Sequence, residues 1–66
     1  REIVEAPAGS EIAVREKDGV KYLFVLNYGK EPAKVVLKQQ VEDLFAGCKA
    51  QGVQTVEGYG TRVYEI

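Results

Sequence analysis

Asp18-Gly19 divides two runs of strand-forming residues, Glu11 to Lys17 and Val20 to Tyr28. A two-residue Asp-Gly loop is the strong signal for a type I′ turn, because both central residues need positive φ. Such a turn also fixes the strand register. Lys17 must face Val20 and Glu16 must face Lys21. Continuing back, Arg15 faces Tyr22, Val14 faces Leu23, Ala13 faces Phe24 and Ile12 faces Val25. One face therefore stacks Ile12 and Val14 on Val25 and Leu23, and ends in the opposite-charge pair Glu16–Lys21. Cross-strand pairs of this kind contribute roughly 0.2–1 kcal/mol each.

The returning strand, KYLFVLNY, raises a problem of economy. Its second face carries Tyr22, Phe24, Leu26 and Tyr28, so both faces are apolar. The chain has only 66 residues. A domain of that size buries about 60% of its unfolded surface and draws about 3–5 kcal/mol from its core. The second face belongs either to another sheet of the same domain or to a surface where a larger protein sits.

The remaining pattern is all-β. Val, Tyr, Phe, Thr and Ile recur in short runs broken by seven glycines and two prolines, and no window sustains helical spacing. Gly29 and Pro32 turn the chain after Tyr28. Ala33 to Lys38 is a third strand, with Val35 and Leu37 on one side and Val36 on the other. From Gln39 to Gly47, Val41, Leu44 and Phe45 mark a short strand or a turn pinned to the core. Val53 to Glu57 and Thr61 to Ile66 flank Gly58-Tyr59-Gly60 as a closing hairpin. There Arg62, Tyr64 and Ile66 share one face, with Val63 and Glu65 on the other. Ile3 to Glu5 adds an edge strand before the Ala6-Pro7-Ala8-Gly9 break. The expected fold is one domain over residues 1–66, a small antiparallel β-sandwich or partly closed barrel of six or seven short strands.

Composition removes most chemistries. There is no histidine and a single cysteine, Cys48, so His-containing zinc sites, Ser-His-Asp and Cys-His catalysis and an internal disulfide are all excluded. Nine Lys and Arg against ten Asp and Glu, interspersed, give no basic stripe for nucleic acid. No apolar run reaches the ~18 residues of a membrane span, and no signal-peptide pattern is present. Glu42-Asp43, the one adjacent carboxylate pair, points to opposite faces of an extended strand and cannot close on a substrate. Gly58-Tyr59-Gly60 lacks the strand-to-helix junction of a phosphate cradle. Cys48 has only Lys49 as a nearby cation in sequence, too little to make a reactive thiolate. No catalytic, metal or cofactor site is expected.

The aromatics are the candidate site. Tyr22, Phe24, Tyr28 and Tyr59 form a candidate docking or sugar-stacking surface. Tyr22 and Tyr28, six apart on one strand face, lie about 20 Å from each other and could span several sugar units. The chain has no tryptophan, and Phe24 and Leu26 between the tyrosines suit packing better.

The order of the motifs is itself informative. Ile12-Ala-Val-Arg15, the Lys-Asp-Gly turn, Lys21-Tyr-Leu-Phe-Val-Leu-Asn27, Glu31-Pro32, Asp43-Leu-Phe-Ala-Gly47 and Gly-Tyr-Gly before the last strand resemble the C-terminal domain of glycoside hydrolase family 42 β-galactosidases. The likeness runs from about Ala6 to Ile66. Asp43-Leu-Phe-Ala-Gly47 departs from a pattern closer to Asp-Leu-Leu-Thr-Gly, and Cys48 stands where a polar residue is usual. Parts of the motif series also occur in C-terminal β-domains of α-amylase-like enzymes. The resemblance implies a non-catalytic domain without cofactor in a cytoplasmic retaining glycosidase. Its partners would be a catalytic TIM-barrel domain and a middle α/β domain of the same chain, in a trimeric parent. Arg1 in place of a start methionine accords with a fragment. The alternative role is a carbohydrate-binding accessory module.

Overall fold

The computed structural model describes residues 3–66, and every regular element among them is a β-strand. The strands are β1 (Val4–Glu5), β2 (Ser10–Lys17), β3 (Val20–Asn27), β4 (Ala33–Asp43), β5 (Cys48–Val56) and β6 (Thr61–Glu65). All six join one antiparallel sheet in the order β1-β4-β6-β3-β2, with β5 on the other edge of β4. A single curled sheet, a partly closed barrel, is thus realised in place of a two-sheet sandwich.

The β2–β3 hairpin has the register that Asp18-Gly19 dictates, from Lys17 opposite Val20 to Ile12 opposite Val25 and on to Ser10 opposite Asn27. Asp18 and Gly19 adopt φ of 54° and 81°, as a type I′ turn requires. Glu16 and Lys21 oppose each other. The ion pairs among the described residues lie elsewhere: Lys38–Glu5 at 2.9 Å, Lys49–Glu42 at 3.4 Å and Arg62–Glu57 at 3.0 Å.

β4 is longer than the sequence suggests and carries the bend. Leu37 faces Gly52 and Val41 faces Ala50, so β4 spends two more residues than β5 over that interval. Unpaired extra residues bend the bulged strand and increase its twist. The bend brings both halves of β4 onto one core. That core is Leu23, Val25, Val35, Leu37, Val41, Val56 and Tyr64, with Ile3, Val4, Ile12, Ala50 and Ile66 packed around it. Leu23 and Val25 define the inner face of β3, and Tyr64 and Ile66 share the inner face of β6. β1 forms as an edge on β4, with Val4 opposite Leu37.

Two expectations fail. The Val53–Glu57 and Thr61–Ile66 segments do not form a hairpin. β5 pairs with β4, whereas β6 pairs with β3 and the end of β4. The turn between them is instead tied to the end of β3, through Tyr59 N–H to the Gly29 carbonyl at 2.9 Å and Asn27 N–H to the Gly60 carbonyl at 2.9 Å. Leu44 and Phe45 are not pinned to the core. They are 42% and 62% exposed, in a turn that no second layer covers, and Val41 alone of that trio is buried.

Tyr64 is fully buried, and its hydroxyl has no hydrogen-bond partner. Burial, reinforced by the nearby Asp43 carboxylate, holds its pKa above the usual phenol value. A buried unpaired hydroxyl costs ~1–3 kcal/mol. Tyr64→Phe is therefore expected to stabilise the domain by about 1 kcal/mol in urea melts. Leu23→Ala, at a fully buried core position, is expected to cost about 2–5 kcal/mol. Equilibrium denaturation measures both, and a cost under ~1 kcal/mol for Leu23→Ala would contradict this core.

Candidate functional site

The curl of the sheet leaves its convex face in water. Register places Arg15, Tyr22 and Glu65 in one row across β2, β3 and β6 on that face. Ala13, Phe24 and Val63 form the next row, followed by Glu11, Leu26 and Thr61. The middle row is apolar, and charges flank it. Tyr22, Phe24 and Leu26 are half-buried by their neighbours alone, and Tyr28 at the strand end is 58% exposed. A shallow depression of about 260 Å³ runs beside Ala13, Phe24, Leu26 and Tyr28. The Tyr28 hydroxyl donates to Glu11 Oε1 at 2.6 Å. That bond to a carboxylate raises the tyrosine pKa and commits the hydroxyl within the domain.

Tyr59 does not join this face. It is 73% exposed in the β5–β6 turn, where it adopts a φ of 57°. Glycine beside it is a steric necessity: a Cβ at Gly58 would overlap the Lys30 carbonyl oxygen. The structure therefore groups Tyr22, Phe24 and Tyr28 and sets Tyr59 apart, on a loop packed against the end of β3.

Asn27 holds that end together. It is 4% exposed, and its side-chain amide donates to the carbonyls of Glu31 (2.8 Å), Val56 (3.1 Å) and Glu57 (3.1 Å). Its Oδ1 accepts from Gly29 N–H at 2.9 Å. One side chain thus ties together backbone groups from the loops after β3 and β5. Asp43 does the same at the other turn, with Oδ1 accepting from the backbone N–H groups of Phe45 (3.0 Å) and Ala46 (3.1 Å). Sequence reasoning overlooked both roles. The available signal was a short polar residue ending a strand just before a glycine-containing turn, the setting of an Asx-turn.

The remaining candidates behave as solvated or structural groups. Glu42 faces Lys49 while Asp43 turns inward to cap its loop, so the adjacent carboxylates diverge. Cys48 is exposed and free. Gly58-Tyr59-Gly60 is a turn between strands, closed by Gly60 N–H on the Glu57 carbonyl at 2.9 Å. The Glu57 carboxylate is held below its ordinary pKa by a backbone N–H and by Arg62. Among the described residues no group of three or more His, Cys, Asp or Glu is placed to hold a metal. No helix among them is long and apolar enough to cross a membrane.

Asn27→Leu keeps the volume and removes all four of these hydrogen bonds. It is expected to destabilise the domain by about 3 kcal/mol, and to abolish slow hydrogen exchange at the Gly29 amide, which exchange measured by NMR detects.

The family described as the β-galactosidase C-terminal domain matches residues 9–65 of the chain. A catalytic mutant of Gan42B, a GH42 β-galactosidase from G. stearothermophilus, superposes with a TM-score of 0.86 at 32% identity. The match covers 94% of this chain and 9% of that one. Gan42B itself gives 0.87 at 32% identity, over 96% and 9%. A β-galactosidase from Bacillus circulans sp. alkalophilus gives 0.84 at 31% identity, over 96% and 10%. No curated protein sequence matches the chain. The chain spans about a tenth of the length of these galactosidases. The family match over residues 9–65 and the superposition on these galactosidases over nearly the whole chain converge: this chain belongs to the β-galactosidase C-terminal domain family.

Proposed function

We propose that this domain serves a β-galactosidase, hydrolysing terminal β-D-galactosides, as a non-catalytic unit that docks on the enzyme body and stabilises it. The docking surface is the convex face around Tyr22, Phe24 and Tyr28. The supporting observation is the row Ala13–Phe24–Val63, apolar and uncovered, between rows that carry Glu11, Arg15 and Glu65. An apolar centre inside a charged rim is the anatomy of a protein interface. In this reading a catalytic TIM-barrel and a middle α/β domain precede it in a trimeric, cytoplasmic parent. The free, exposed Cys48 accords with a reducing compartment.

A second reading, sugar binding, draws support from the exposure of Tyr28 and Tyr59 at one end of the sheet. The Tyr28–Glu11 hydrogen bond weighs against it, since the hydroxyl is already engaged.

Phe24→Ala separates the two. In the isolated domain it loses two cross-strand pairs and is expected to cost about 1 kcal/mol. In the intact enzyme the expected cost is at least about 2 kcal/mol, read as a larger fall in Tm, because an interface anchor is removed as well. Equal losses in both settings would refute docking through this face. Saturable amide shifts at Tyr28 and Tyr59 on titration with galactan oligomers would establish the sugar reading in its place.

A further inference from the structure

Three strands have an edge that pairs with no other described strand, and they differ as templates. β1 offers two residues. β5 pairs only with β4, and its course is disturbed by the bulge opposite and by Gly52 at a φ of 84°. β2 is different. It pairs only with β3 and runs for eight residues without proline or bulge. A concave groove of about 770 Å³ lies between it and β1. A long regular edge of this kind is ready to accept another strand.

The hydrogen-bond parity of β2 is fixed by its hairpin. A two-residue loop makes Lys17 and Val20 a hydrogen-bonded pair, and at the far end of the ladder Tyr28 N–H donates to the Gly9 carbonyl at 2.9 Å. The odd-numbered residues of β2 therefore direct their backbone groups at β3. Ser10, Ile12, Val14 and Glu16 direct theirs outward. The Val14 carbonyl accordingly accepts a hydrogen bond from the side chain of its own neighbour, Arg15 Nη1, at 3.0 Å. The same alternation sorts the side chains. Ile12 and Val14 line the concave groove, whereas Glu11, Ala13 and Arg15 lie on the convex side.

We propose that β2 pairs antiparallel with β2 of a second copy of this chain, about a two-fold axis at Ala13. The outward parity requires even-numbered residues to oppose even-numbered ones. With Ala13 on the axis, Ile12 faces Val14 of the second copy twice on the concave side, and these residues exchange four backbone hydrogen bonds. On the convex side Glu11 faces Arg15 of the second copy twice. Aliphatic meets aliphatic and acid meets base in the same register. The neighbouring registers of allowed parity lose this match. One sets Ile12 against Glu16 and Ala13 against Arg15; the other sets Glu11 against Ala13 and Arg15 against Gly9. The contact is isologous, so it closes at two copies. It also gives Val14, 48% exposed in the single chain, an aliphatic neighbour across the seam. The pairing is independent of any docking through the convex aromatics, because it uses the backbone edge of β2.

Charge exchange tests the pairing and its register. Sedimentation equilibrium of the 66-residue chain is expected to show a monomer–dimer equilibrium between about 10 μM and about 1 mM. Glu11 and Arg15 are both exposed. Either Glu11→Arg or Arg15→Glu alone sets like charges opposite each other twice, and is expected to weaken the dimer at least about tenfold. An equimolar mixture of the two variants restores opposite charges at both positions, so a mixed dimer is expected to regain the affinity of the unaltered chain. A chain that stays monomeric at about 1 mM would overturn the proposal. So would a dimer indifferent to either variant, or a mixture that stays monomeric. Hydrogen exchange on the unaltered chain reads the same contact without any substitution. Raising the concentration through the transition is expected to slow the Ile12 and Val14 amides several-fold and to leave the Ala13 amide, already bonded to β3, unchanged. Slowing confined to other strands would place the contact elsewhere and refute pairing through β2.

Discussion

A lone antiparallel sheet has no second layer to cover its apolar face, so everything here depends on bending that sheet over itself. β4 carries the bend. Between Leu37 and Val41 it places two residues more than its partner β5, and on either side of the bulge its inward residues meet one core. β4 also pairs with three strands, β1, β5 and β6, and no other strand has as many neighbours. A straight β4 would splay Val35 and Leu37 away from Val41 and Tyr64. The buried apolar cluster would then divide into two patches too small to offset the chain's conformational entropy.

Curling fixes the difference between the faces. The concave face gathers Leu23, Val25 and Tyr64 out of water, and the convex face inevitably turns Tyr22, Phe24 and Leu26 toward it. The two-sided hydrophobicity of β3 is therefore a division between faces: one holds the domain together, and the other is left half-buried at the surface. Its polar end residue follows the same logic. Asn27 lies on the inward side, where an aliphatic residue would pack equally well, yet its amide ties the loops after β3 and β5 to each other. Without a covering layer, the ends of the core need polar staples, and Asn27 and Asp43 provide them.

The sequence was legible wherever the information is local. Asp18-Gly19 determines a turn, the turn determines a register, and all the pairs from Lys17–Val20 to Ile12–Val25 follow without any tertiary knowledge. The alternation Val35–Val36–Leu37 is equally local, and it held. Errors arose where one residue span had several possible neighbours. Val53 to Glu57 and Thr61 to Ile66 read as a hairpin because a glycine-rich turn joins them. Insertion of β6 between β3 and β4 is a long-range choice made by Tyr64 and Val63, not by the turn. The bulge was hidden for a related reason. Lys38-Gln-Gln40 looks like the end of a strand, since three polar residues interrupt the alternation, whereas they are the exposed residues of the bulge inside β4. As for the candidate site, strand parity grouped Tyr22, Phe24 and Tyr28 correctly. Parity could not assign that face to the exterior, because a sandwich and a curled sheet have the same alternation.

The two apolar surfaces left open by the curl differ in what they can accept. The convex patch is shallow, carries half-buried aromatics and is crossed by charges of both signs, which suits a broad contact with a preformed partner surface. The concave groove is deeper, aliphatic and bounded by a free backbone edge, so a single extended strand fits it better than a folded surface does.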